Sequence, residues 1–426
     1  VHVMSGTTTS RQRHHVVMVP GFGGFNALGS LKYYSGVTEI LTGVTPGLHQ
    51  QSTMGSAPPH LNVYYFPNLP TASIATRASW LGEWLAKRVE RGLFMEGDSL
   101  HLVGHSTGGL DIRLLVYNLH YPTLSSPTLS YTVAQKLKRM LGSVQSLSTP
   151  HRGTNLSSRL WLLRPLMALG ALGGYAKLKL TPRACSACCA KMVHHIPFIW
   201  RHASWGMAFF DSLSLLYSSC GPYESAKARK RYFTILDWLA NMASQSIADT
   251  DLHPAPPPPL GHTVTTPARW SPGMLEKEDA IYKKGAPDEI RRRSIITSGA
   301  NPDRCLRSSY AFLHGIIACN PPASLGPEIE VPSLLGNAPS LTLGRAMNDG
   351  IVNSASMVWP TGKDAQQHNH YVLADHGDII GHYEEDEAAF RYDLLVSETG
   401  FSTEDFHKTW ANIRDYIVTA TKRFEN

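Results

Sequence analysis

The sequence predicts an α/β fold, a mostly parallel central sheet flanked by helices and interrupted by a large, mainly helical insertion. Three observations carry this expectation. Short apolar runs alternate with stretches of helical periodicity, as in Leu61 to Phe66 followed by Trp80, Leu81, Trp84, Leu85 and Val89, and such alternation implies parallel strands joined by right-handed crossovers. A serine stands at the centre of Val103-Gly104-His105-Ser106-Thr107-Gly108-Gly109, between an apolar run (Leu100, Leu102, Val103) and a helical run (Leu110, Leu114, Leu115, Leu119). That stretch reads as strand, sharp turn and helix with a serine at the apex. Finally, loops bearing glycine, aspartate or histidine follow the apolar runs, and the carboxyl ends of strands are where such sheets bind ligands.

Taken in order, His14 to Val19 is a short buried strand running into Pro20-Gly21-Phe22-Gly23-Gly24. Leu61 to Phe66 is a second strand, ended by Pro67, and the tryptophans of the helix after it are packing residues. The strand before Ser106 and the helix after it form the turn described above. Met140 to Leu147 is the next strand, ending in Ser148-Thr149-Pro150-His151-Arg152-Gly153-Thr154. His151 lies at a strand end, but its proline and glycine neighbours mark a structural loop. Arg293 to Gly299 is a further strand. The last helix is signed by Ser402 as N-cap with Asp405 three residues on, by Phe401 and Phe406 as a hydrophobic staple, and by Phe406, Trp410, Ile413 and Ile417 on one face.

Regularity fails from Asn155 to about Ile290. This segment holds short apolar helical stretches (Trp161 to Leu172, Met207 to Tyr217, Tyr232 to Met242) and a proline run (Pro254, Pro256 to Pro259), the latter a stiff extended spacer. An insertion of this length at the mouth of an α/β sheet reads as a lid or substrate wall. The organisation is therefore residues 1–12 as a flexible N-terminus, 13–155 and 291–426 as the core, and 156–290 as a lid or cap insertion.

Composition excludes several classes. Of 426 residues, 42% are hydrophobic and 17% charged, too apolar for a disordered chain. The net charge of +6 is mild, and short basic clusters such as Arg291-Arg292-Arg293 lack the aromatic interleaving of a nucleic-acid groove. No stretch approaches the ~20 apolar residues of a bilayer span; the nearest, Leu160 to Gly174, contains Arg164 and Pro165. With Met4 taken as the natural start and no signal peptide visible, the expectation is a cytoplasmic protein whose six cysteines are reduced. Cys185, Cys188 and Cys189 with His194 and His195 have the letters of a zinc site without its spacing, and read as buried hydrophobes.

A serine hydroxyl is a weak nucleophile at neutral pH and needs a base, held in turn by a third group. The chain supplies Ser106, then Asp349 in the turn Asn348-Asp349-Gly350, then His376 after an apolar strand end. This is the chain order of a nucleophile-elbow hydrolase. Asp303 is the rival acid, whereas Asp375 and Asp378 lie too near His376 in sequence. The backbone N–H groups of Phe22 and Thr107 are the expected oxyanion donors.

These motifs, with Ser148-Thr149-Pro150-His151-Arg152-Gly153-Thr154 and Asp375-His376-Gly377-Asp378-Ile379-Ile380-Gly381, resemble the large thermostable bacterial triacylglycerol lipases of the α/β-hydrolase fold. The resemblance covers roughly the sheet core and not the insertion. It implies a Ser106, Asp349, His376 triad. That family's zinc site has no counterpart between Phe66 and Leu100, and its calcium site would fall at Asp378, near Glu384, Glu385 and Asp386; an acidic turn in solvent explains those residues as well. The chemistry requires no cofactor. The implied reaction is cleavage of an apolar acyl ester or thioester, with peripheral lipid contact through the insertion. The same apparatus serves thioester release, acyl transfer or cyclisation of a polyketide-like substrate, and a silent hydrolase-fold binding module is the reading from another class.

Overall fold

The computed structural model describes residues 12–21, 27–28, 31–43, 60–68, 74–120, 129–155, 290–299, 314–315, 317–319, 321, 328–336, 338–360, 365–383 and 400–421. The insertion expected at 156–290 lies almost wholly outside the described residues, as do Phe22, Asp303, the cysteines at 185, 188 and 189, and the acidic run 384–386.

Six parallel strands form the central sheet: β1 (His14–Val19), β2 (Leu61–Tyr65), β3 (Ser99–His105), β4 (Leu141–Leu147), β5 (Arg291–Ser298) and β6 (Asn369–Leu373). Their spatial order is β6-β5-β4-β3-β1-β2. The chain steps from β1 outward to β2, returns to the other side of β1 with β3, and then proceeds outward. The crevice between the carboxyl ends of β1 and β3 is thus the topological switch point, the place where open α/β sheets bind ligands. With Ser106 at the end of β3, this is the α/β-hydrolase fold.

β1 ends in an apolar run and is buried throughout because both of its faces are covered. Val17 and Val19 of β1 enter one core with Leu81, Leu85, Ile112, Leu115, Val133 and Leu137, drawn from α2 (Ile74–Glu90), α3 (Thr107–His120) and α4 (Tyr131–Met140). The alternate residues Val16 and Met18 enter the other core with Val37, Ile40 and Leu41 of α1 (Val37–Thr42) and Phe406, Trp410, Ile413 and Ile417 of α5 (Thr403–Thr421). The predicted strands are present with small shifts of boundary. Met140 belongs to α4 rather than to the strand, because Val133, Ala134, Leu137 and Met140 form one buried helical face.

The end of the chain is built as its signals require. The Ser402 hydroxyl accepts from the Asp405 N–H at 3.2 Å, while the Ser402 N–H donates to the Asp405 carboxylate at 3.3 Å. Trp410 is fully buried and its indole N–H donates to the Ile379 carbonyl at 2.7 Å, fastening α5 to the loop that carries His376.

A second tie lies beneath that loop. The buried His314 places Nε2 2.9 Å from Asp375 Oδ1, and its backbone carbonyl accepts from Asn348 Nδ2 at 3.3 Å. One residue therefore grips the neighbours of both Asp349 and His376. Burial opposes a charge on His314, but the Asp375 hydrogen bond and the nearby carboxylates of Asp375 and Asp349 outweigh it and raise its pKa above the usual histidine value.

Trp410→Ala should lower unfolding free energy by about 3–5 kcal/mol, the ordinary cost of emptying a large buried site, as read by urea titration. A group with a raised folded-state pKa contributes fully below its unfolded value of about 6.5 and loses that contribution as pH rises through the folded value. The stability gap between the native chain and His314→Gln should accordingly be larger at about pH 6 than at about pH 9.

Candidate active site

Ser106 occupies the one-residue turn between β3 and α3 with φ of 55°, a left-handed conformation that is rare for a residue with a side chain. Two hydrogen bonds hold it there: its N–H donates to the Leu147 carbonyl at 2.8 Å, and its carbonyl accepts from Gly109 N–H at 3.1 Å. The flanking glycines answer a packing demand. A Cβ at Gly104 would lie 2.6 Å from the backbone of Gly108 and Gly109, and one at Gly108 would run into the Val19 carbonyl of β1. Bulk at either position would force β1, β3 and α3 apart.

Asp349 and His376 lie side by side. Asp349 Oδ2 is 2.7 Å from His376 Nδ1, with the carboxylate fully buried. The second oxygen, Oδ1, accepts from the N–H groups of Ile351 (3.1 Å) and Val352 (2.7 Å). Thr297, near the end of β5, donates its hydroxyl to Oδ2 at 2.6 Å and lies 2.8 Å from Ser148 Oγ. The carboxylate in turn dictates that Nδ1 of His376 carries hydrogen, so that Nε2 is the basic nitrogen. His376 N–H also donates to the Asp349 carbonyl at 3.0 Å, joining the two loops through backbone as well as side chains.

The loop bearing His376 sits against the elbow. His105, adjacent to Ser106, places Nε2 2.9 Å from the His376 carbonyl, and the two rings have centroids 4.6 Å apart. No hydrogen bond among the described residues joins the Ser106 hydroxyl to the His376 ring. Of the rival acids, Asp375 is engaged by His314, and Asp378 Oδ2 accepts from the Asp375 N–H at 2.7 Å.

Thr107 opens α3, where a helix has N–H groups without intrahelical acceptors. Its hydroxyl accepts from Arg77 Nη1 at 2.8 Å, and Arg77 Nη2 donates to the Pro20 carbonyl at 2.9 Å. The same guanidinium contacts Asp111 Oδ2 at 2.7 and 3.1 Å, with both side chains fully buried. Asn68 Nδ2 donates to the Pro20 carbonyl at 2.8 Å. Arg77 thus fixes the chain just before Phe22 relative to Thr107.

Sequence reasoning missed Arg77, Thr297 and the hydrogen bond from His105 to the His376 carbonyl. A charged residue within an otherwise amphipathic helix is the only signal Arg77 gives; Thr297 is marked by lying two residues before the end of a predicted strand. His151 is structural, as its neighbours suggested: Nε2 is 3.0 Å from Ser146 Oγ and its ring stacks on Trp359 at 5.1 Å. Burial, with the charges of Arg113 and Arg152, pushes its pKa well below the usual value. Among the described residues no group of three or more His, Cys, Asp or Glu is placed to hold a metal ion, and no helix is long and apolar enough to cross a membrane.

No protein-family model and no curated protein sequence matches the chain. Solved structures do. A Staphylococcus hyicus lipase is similar over 100% of both chains at 16% identity and a TM-score of 0.48. Lipase 1 from Pelosinus fermentans is similar over 87% of this chain and 94% of its own, at 17% identity and a TM-score of 0.45. The mature lipase BlEst2 of Bacillus licheniformis is similar over 87% of each chain, at 13% identity and a TM-score of 0.36.

Proposed function

We propose that the protein is a serine hydrolase that cleaves a carboxylic ester, or thioester, of an apolar acyl substrate through an acyl-enzyme intermediate. The observation that carries this reading is the buried Asp349–His376 pair, 2.7 Å apart, on a loop packed against the elbow that holds Ser106 in a left-handed conformation.

In this reading His376 Nε2 takes the proton from Ser106 Oγ as the oxygen attacks the substrate carbonyl. The carbonyl oxygen becomes negative and is met by the N–H groups of Phe22 and Thr107. Asp349 holds the imidazole in the tautomer that keeps Nε2 basic, and stabilises the imidazolium formed by proton transfer. His376 then gives the proton to the departing alcohol or thiol, and a water, activated by the same nitrogen, releases the acid and frees Ser106. The Ser–His hydrogen bond that this requires commonly tightens only when substrate is bound.

The apolar character of the substrate follows from the Leu, Trp and Met content of residues 156–290, which we assign as a lid or substrate wall over the core formed by 13–155 and 291–426. Where an alcohol, amine or internal hydroxyl replaces water, the same acyl-enzyme performs acyl transfer or cyclisation.

Ser106→Ala should abolish turnover of a medium-chain p-nitrophenyl ester without changing Tm, and a fluorophosphonate probe should label the native chain at Ser106. Asp349→Asn should reduce kcat on the order of 10⁴-fold by favouring the wrong tautomer. An absence of probe labelling would identify a silent binding module, and a larger loss from Asp303→Asn than from Asp349→Asn would move the acid to residue 303.

A further inference from the structure

Tyr33 is an aromatic residue whose hydroxyl lies at the junction of three loops. Its oxygen accepts from Gly21 N–H, after β1, at 2.8 Å and lies 2.7 Å from His105 Nδ1. On the far side of the same imidazole, His105 Nε2 is 2.9 Å from the His376 carbonyl. The direction of every proton in this chain follows from elementary constraints. A carbonyl oxygen can only accept, so His105 Nε2 must carry hydrogen. Burial, reinforced by the proximity of His376, pushes the His105 pKa well below the usual value, so the ring is neutral and Nδ1 is bare. Tyr33 must then donate to Nδ1, and Gly21 donates to Tyr33.

The segment bearing Tyr33 is itself docked on the base loop. The Tyr33 carbonyl accepts from His382 Nε2 at 3.1 Å, and Ser35 N–H donates to the Ile380 carbonyl at 2.9 Å. Gly21 leaves no slack in the assembly: a Cβ there would lie 2.5 Å from Ser106 Cβ and 2.8 Å from the Tyr33 oxygen.

We propose that Tyr33 and His105 form a positioning relay, running from Gly21 N–H through the phenol and the imidazole to the His376 carbonyl, that sets the oxyanion loop, the Ser106 elbow and the base loop in one register. Neither residue touches substrate. The relay rests on the hydrolase reading above. Its neutrality matters as much as its geometry, because a charged ring 4.6 Å from His376 would oppose the proton that His376 must accept.

Tyr33→Phe keeps the ring and removes the hydroxyl, leaving Gly21 N–H and His105 Nδ1 without this partner. With a p-nitrophenyl ester, kcat should fall about tenfold to a hundredfold, the rate equivalent of two hydrogen bonds, with KM within about twofold and fluorophosphonate acylation slowed in parallel with kcat. His105→Leu should show the same split. His105→Gln, whose amide can accept from Tyr33 and donate to the His376 carbonyl, should recover most of the loss. All variants are compared at temperatures where circular dichroism shows them folded. Equal rates for His105→Gln and His105→Leu, or a Tyr33→Phe variant with native kcat while Ser106→Ala is dead, would overturn the relay and leave the hydrolase reading standing. An active Ser106→Ala variant would instead remove the reading on which the relay rests.

Discussion

The site depends on the close approach of the first turn of α3 to the carboxyl end of β1, where Gly108 faces the Val19 carbonyl. That contact is possible only because the chain reverses from strand to helix within one residue, and the reversal puts Ser106 into a left-handed conformation. Such a conformation costs on the order of 1–3 kcal/mol and persists only where surrounding structure over-determines it. Here the surroundings are two backbone hydrogen bonds, one to the Leu147 carbonyl and one from the Gly109 N–H, and the walls of three parallel strands. The strain faces the switch point of the sheet, where Ser106 stands at the carboxyl end of β3 beside β1.

The fully buried Arg77–Asp111 pair has to be understood in the same terms. Desolvating two charges seldom gains stability over an apolar pair of the same size, and a simple packing role would not need it. Its guanidinium also donates to the Pro20 carbonyl and the Thr107 hydroxyl, linking by rigid, directional bonds the two backbone segments that flank the elbow. An apolar pair could fill that volume but could not set the angle between the loop after β1 and the start of α3.

The parts legible in the sequence are those whose local chemistry and global role coincide. β1 reads as a strand because both its faces are buried, and α5 reads as a helix because Ser402 and Asp405 form a capping box before an apolar stripe. Ser106, Asp349 and His376 stand in turns whose glycines betray them. The illegible parts are those where a partner far away in sequence defines the role. Nothing in Leu31-Lys32-Tyr33-Tyr34 marks the Tyr33 hydroxyl, which meets Gly21 and His105 only in the folded chain. α4 was hidden because Lys136, Lys138 and Arg139 dilute its four buried positions, and α1 because six residues are too few for a period to show.

The described residues contain three buried histidines paired with aspartate: His15 with Asp98 at 3.0 Å, His314 with Asp375 at 2.9 Å and His376 with Asp349 at 2.7 Å. Pairing alone therefore does not mark a base. His15 and Asp98 lie at the amino end of the sheet, one near the start of β1 and the other just before β3, at the opposite end of those strands from the elbow. His314 spends its imidazole on Asp375 and its carbonyl on Asn348, so its bonds run inward to the loops it holds. His376 differs in what surrounds the pair. Its acid takes two backbone N–H groups and a threonine hydroxyl, its backbone is gripped by Asp349 and His105, and its loop packs on the elbow, so that among the described residues the hydrogen bonds fixing the imidazole run through Nδ1 and the backbone and not through Nε2.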